Sequence, residues 1–109
     1  MAVLNISRKG DFFSTGHGCD TISTIRDGND VLNSARNVYA EGKLVTFLGA
    51  STVTHEIPNP SPPPACITHS STIKSGSRTV FVNGIAVARE TDSVDAGQML
   101  FRTGTVYAG

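Results

Sequence analysis

Five side chains able to ligate a soft or borderline metal fall into two groups. Gly16-His17-Gly18-Cys19 is the first, and His55 with Cys66-Ile67-Thr68-His69 is the second. A structural zinc site takes four N or S donors in a tetrahedral array at roughly 2.0 to 2.3 Å. His17, His55, Cys66 and His69 make one complete set, with Cys19 spare. A set using Cys19 in place of His17 stays open, because both lie on one Gly-rich turn and only one need face the metal. The bland alternative is three hydrogen-bonded or surface histidines and two buried thiols. A Cys19–Cys66 disulfide competes with ligation, but a reducing cytosol disfavours it.

Catalytic chemistry fits less well. Glu56 beside His55 looks like the start of a metalloprotease helix, yet no histidine stands four residues after His55 and Pro58 would break the helix. Four protein ligands also favour a closed, inert metal. Neither a Ser-His-Asp order nor a phosphate-cradling Gly loop followed by Lys-Ser/Thr is present, so the expectation is a protein that is not an enzyme. The catalytic rival, a minimal zinc hydrolase, would depend on Glu56.

The elements that must position these residues read as β-strands. Helical periodicity is poor, and short β-branched stretches alternate with Gly, Ser, Thr and Asn. The clearest hairpin is Arg78 to Arg89, with Asn83-Gly84 supplying the positive φ angles of a two-residue turn. A weaker copy runs from Arg36 to Phe47 with Glu41-Gly42 at its turn. A third fragment, Val106-Tyr107-Ala108, repeats Val38-Tyr39-Ala40. Three such strands predict an approximate threefold architecture. Arg8-x-x-Asp11 is echoed by Arg89-x-x-Asp92. Prolines 58, 60, 62, 63 and 64 predict a stiff extended loop that helps to place Cys66, with a Pro-x-x-Pro recognition segment as the lesser reading. Asp27 to Asn33 predicts a lateral loop.

Composition bounds the rest. The chain has 109 residues, enough for one domain spanning 1–109 and too few for two independent cores. Hydrophobic residues are 39% and aromatics 6%, without Trp, so the core is thin and a cross-link or metal would help it. Nine Lys+Arg balance nine Asp+Glu, which leaves no basic field for nucleic acid. No signal-peptide layout or run of about 20 apolar residues is visible, so synthesis as a soluble cytoplasmic chain is expected.

In order along the chain stand Arg8-Lys9-Gly10-Asp11, Thr15-Gly16-His17-Gly18, Cys66-Ile67-Thr68-His69, Val80-Phe81-Val82-Asn83-Gly84 and Ala86-Val87-Ala88-Arg89 running into Asp92. In this order the chain resembles the PAAR-repeat family, the spike tips of contractile phage tails and type VI secretion systems. The resemblance implies an all-β, short conical fold of β-hairpins with pseudo-threefold symmetry. It also implies a structural zinc near the apex, held by His17, His55, Cys66 and His69. The implied partner is a trimeric β-helical spike, capped by one copy per trimer, with a target membrane contacted transiently and a separate effector as possible cargo. Departures are Val45-Thr46-Phe47-Leu48-Gly49-Ala50, which stands where many members repeat Ala-Arg-x-Gly-Asp, and Arg89-Glu90-Thr91-Asp92, which lacks the glycine. The alternative function is a small zinc-binding adaptor recognising a protein partner.

Overall fold

The computed structural model describes residues 3–32 and 37–109. Its described residues form short antiparallel strands: β1 (Leu4–Asn5), β2 (Phe12–Ser14), β3 (Ile22–Thr24), β4 (Tyr39–Ala40), β5 (Lys43–Leu44), β6 (His55–Pro58), β7 (Cys66–His69), β8 (Phe81–Val82), β9 (Ile85–Ala86), β10 (Ser93–Val94), β11 (Gly97–Met99) and β12 (Tyr107–Ala108). A single 3-10 turn at Asn29–Val31 is the only helical element among the described residues. Strands this short cannot bury a face alone, so the fold depends on how hairpins join.

The two hairpins read from sequence are present as β4–β5 and β8–β9. Their turns carry φ of +53° and +81° at Glu41-Gly42, and +50° and +82° at Asn83-Gly84, the pattern of a tight turn that matches strand twist. Arg36, at the start of the first expected hairpin, and Asn33, at the end of the expected lateral loop, lie outside the described residues. The third fragment finds its partner at the other end of the chain: β12 pairs with β1, Leu4 opposite Ala108 and Asn5 opposite Tyr107.

The strand leaving each of these hairpins meets the other two. Ser7 N–H donates to Ala88 O at 2.9 Å, Ala88 N–H to Thr46 O at 3.1 Å, and Thr46 N–H to Ser7 O at 3.0 Å, closing a cycle of three bonds. The same segments make the bridges Ile6–Arg89, Arg8–Val45 and Phe47–Val87. Ser7, Thr46 and Ala88 are buried, so these peptide groups satisfy one another where water cannot. A second layer of three pairs follows: Ile25 bridges Thr52, Ile73 bridges Val94, and Met99 pairs with Phe13. All six side chains are at most 1% exposed. Each large apolar one contributes about 1.5–3 kcal/mol by burial, which makes this layer the main hydrophobic contribution in a thin core.

Three more hairpin arms, β2–β3, β6–β7 and β10–β11, continue from this layer, the first and last joined by the β11–β2 pairing into one four-stranded sheet. These carry the ligand-type residues.

Local details explain the departures noted in the sequence. Asp11 accepts from Arg8 N–H at 2.7 Å and from its guanidinium, and Asp92 does the same for Arg89. At the corresponding positions of the middle segment stand Phe47, 6% exposed, and Ala50, fully buried, so an apolar contact replaces the ionic clasp. The segment from Asp27 is a loop with one 3-10 turn over its described part, exposed at Asp30 and Val31 and pinned to the domain at Asn29. Asn29 is fully buried, its amide donates to Val38 O and Val45 O, and its carbonyl accepts from Val38 N–H. The proline segment differs from a stiff extended loop. It is the folded tip of the β6–β7 hairpin, with Pro58 paired to Cys66 and Asn59 bonded across it to Pro64 and Ala65.

Candidate metal centre

Each of the three arms delivers ligand atoms to one point. His17 lies in the loop between β2 and β3, His55 and His69 face each other across β6–β7, and Asp95 sits in the turn between β10 and β11. Asp95 adopts a φ of +55°, which an Asx side chain tolerates better than most, and this turn aims its carboxylate inward. Asp95 Oδ2 is 2.8 Å from Nε2 of His17 and 2.8 Å from Nε2 of His55, and Oδ1 is 3.2 Å from Nε2 of His69. One ligand atom from each of the four lies within 4.8 Å of the others. The His17 and His55 rings stack with centroids 5.4 Å apart, and His69 stands edge-on to both.

The outer ring nitrogens decide what the inner ones can do. His17 Nδ1 lies 3.0 Å from Gly18 O and His55 Nδ1 2.9 Å from Val53 O. A carbonyl only accepts, so both Nδ1 atoms carry hydrogen, and a neutral imidazole then turns a lone pair on Nε2 towards the cluster. Lone pairs facing a carboxylate repel unless a proton or a cation stands between them. Carbonyl-oriented imidazoles of this kind are the usual outer support of metal-bound histidine. The site thus offers three nitrogens and one carboxylate to a metal ion.

Ionisation follows the same geometry. Burial lowers the His17 pKa, but bonds to Gly18 O and Asp95, with the charges of Asp95 and Asp20, outweigh it and hold the group above its ordinary value. Burial would raise Asp95, yet the bonds from His55, His17 and His69 win and hold its carboxyl below the usual range.

Of the four ligands named from sequence, His17, His55 and His69 converge and Cys66 does not. Cys66 forms a disulfide with Cys19, linking the β2–β3 loop to β7, so its sulfur has no thiolate to offer. The disulfide set aside on redox grounds is therefore present, and Cys19 does not replace His17. Asp95 takes the fourth position. Sequence reasoning missed it because a carboxylate in a hairpin turn, remote from every histidine along the chain, resembles any other surface Asp-Ala-Gly turn. The residues around it, Ser93-Val94-Asp95-Ala96-Gly97, carry a turn signal and nothing that marks a ligand. Glu56 is exposed and follows His55 on a strand, so it turns to the opposite face and stands outside the cluster.

The chain matches no protein-family model and no curated protein.

Proposed function

We propose that this chain is a non-enzymatic, metal-pinned spike tip of the PAAR-repeat kind, a single copy of which caps a trimeric β-helical spike. The observation that carries the reading is the closed cycle through Ser7, Thr46 and Ala88, which gives one chain a three-way repeating base. Supporting it, Tyr39, Phe81 and Tyr107 occupy corresponding positions in the β4, β8 and β12 strands and are 59%, 58% and 52% exposed. Three equivalent exposed aromatics on a monomer are unexplained by its own packing, and they suit three identical chain ends beneath it. In this reading the pseudo-threefold axis runs through the cycle, the outline tapers towards the histidines, and zinc is the staple at the narrow end.

Zinc fits the donor set. Three borderline nitrogens and one carboxylate can fill a tetrahedral position, with carbonyl-oriented imidazoles holding the donors in place. A bound ion would supply only rigidity, coupling all three arms where force from a contracting sheath is concentrated. The chain's own residues do the rest: His17, His55, His69 and Asp95 hold the ion, and the buried layer of paired strands and the closed cycle carry load to the base.

The test is native mass spectrometry of the chain mixed with a trimeric β-helical spike fragment. One chain per trimer is expected, with binding abolished by a Tyr39→Asp, Phe81→Asp, Tyr107→Asp triple variant. A stoichiometry of three per trimer, or binding untouched by the triple variant, rejects the reading.

A further inference from the structure

Backbone bonds identify three corresponding flanks of the domain. Arg26 N–H donates to Ser51 O, Lys74 N–H to Ser93 O, and Leu100 N–H to Phe12 O, at 2.9, 2.7 and 3.1 Å. On the first flank the next residue, Asp27, accepts from Ser51 N–H through its carboxylate. On the second flank Ser75 Oγ accepts from Ser93 N–H. Both flanks are thus closed by a polar clasp. On the third flank the same two places hold Phe101, 73% exposed, and Phe12, 60% exposed. The fold needs no aromatic at either position, since Asp27 and Ser75 stand at the counterparts of Phe101, and Ser51 and Ser93 at those of Phe12.

These phenyl rings line a groove of about 510 Å³ with Ile22 and Leu100, bordered by Arg8, Asp11, Lys43 and Arg102. Ile22 is itself 54% exposed. Arg8 is paired with Asp11 and Arg102 with Glu41, which leaves the charge of Lys43 without an ion pair among the described residues. The groove therefore combines an exposed apolar floor with a rim whose one unpaired charge among the described residues is the positive charge of Lys43.

We infer that this third flank is a docking groove for an acidic segment of another protein, apolar side chains seated between Phe12 and Phe101 and carboxylates on the Lys43 side. Large exposed apolar anchors with a charged rim are the anatomy of a protein-binding surface. Breaking the correspondence on one flank alone makes the site single on a domain whose other two flanks are closed by polar clasps. The inference rests on the flank comparison and is independent of the metal and of the spike reading.

The test titrates the isotope-labelled full chain with a synthetic peptide alternating Leu with Asp and Glu, followed by amide chemical shifts. Saturable shifts confined to Phe12, Ile22, Lys43, Leu100 and Phe101 are expected, with no counterpart at Asp27 or Ser75. A Phe12→Ser, Phe101→Ser variant, which copies the Ser93 and Ser75 pair of another flank, should bind at least about tenfold more weakly. Its melting temperature should stay within a few degrees of the parent. Lys43→Glu should weaken binding in low salt. The inference is overturned by equal binding of a Leu/Lys peptide, by shifts spread over all three flanks, or by a large loss of stability in the double variant, which would make the rings structural. It is overturned equally if the same residues respond only to phosphatidylglycerol vesicles, or only to rising concentration of the chain itself in sedimentation.

Discussion

Asp95 Oδ2 lies 2.8 Å from His55 Nε2, joining a hairpin turn to the first residue of a strand in a different arm. Without a proton or metal between them, an ionised carboxylate would face a lone pair fixed inward by the Val53 carbonyl. Asp95→Asn keeps the shape and removes the charge. It is expected to weaken zinc by at least roughly tenfold in competition with a chromophoric chelator, since loss of even an outer support costs 10- to 100-fold at metal sites. Unchanged affinity would remove Asp95 from the ligand set.

The pH dependence separates the metal-free protein from the loaded one. The His17 pKa is raised in the folded chain, so its contribution is complete below about pH 6.5 and disappears as pH climbs through the folded value. The Asp95 pKa is depressed, so its contribution is present above about pH 3.9 and is lost as acid takes the pH through the folded value. With chelator present, these two groups should favour a melting-temperature maximum between about pH 4 and 6.5. Zinc needs neutral imidazoles and releases protons on binding. The gap between loaded and metal-free melting temperatures should therefore widen from pH 5 to pH 8, and a constant gap across that range would mean that the histidines do not hold the ion.

The disulfide and a metal held by His17, His55, His69 and Asp95 would tie overlapping stretches of chain. Cys19 and Cys66 are 47 residues apart in sequence, and His17 and His69 flank them on the outside. In the chain-entropy account a loop of that length stabilises by about 4 kcal/mol. A metal that binds only the folded site leaves the unfolded chain unrestricted, so its contribution adds to that of the disulfide. A Cys19→Ser, Cys66→Ser variant should therefore lose the same stability in chelator as in excess zinc, within about 0.5 kcal/mol in a denaturation cycle with and without metal. A clearly smaller loss in zinc would show that the ion stays bound to the unfolded chain, and a clearly larger one that the disulfide also shapes the folded site.

Much of this was legible in the residues and some was not, for physical reasons. Asn83-Gly84 and Glu41-Gly42 encode their turns locally, because the backbone conformation of a two-residue hairpin restricts which side chains fit. The three histidines were visible because their side chains have few other reasons to cluster. The pairing of β12 with β1 and the cycle through Ser7, Thr46 and Ala88 were hidden, since such contacts join chain segments with unremarkable local patterns. Cys66 belongs to a disulfide and not to the ligand set because Cys19 meets it in space, a proximity that neither sequence spacing nor an assumed reducing compartment encodes. Asn29 looked like loop and proved to be core because a short amide can replace backbone partners for Val38 and Val45.

Gly16 and Gly42 provide a contrast that isolates the geometry of the metal arms. Both have positive φ, +77° and +81°, so a side chain strains the backbone at either place. A methyl group at Gly42 would meet nothing within 4 Å, whereas at Gly16 it would run into the Ala96 carbonyl and the Gly97 nitrogen in the turn that carries Asp95. Gly42→Ala should therefore cost about 1 kcal/mol and leave metal affinity unchanged. Gly16→Ala must push the His17 loop away from the Asp95 turn, and it should reduce zinc affinity by at least roughly tenfold in addition to the same backbone penalty. Equal zinc binding by the two variants would mean that close contact between these loops does not set the site.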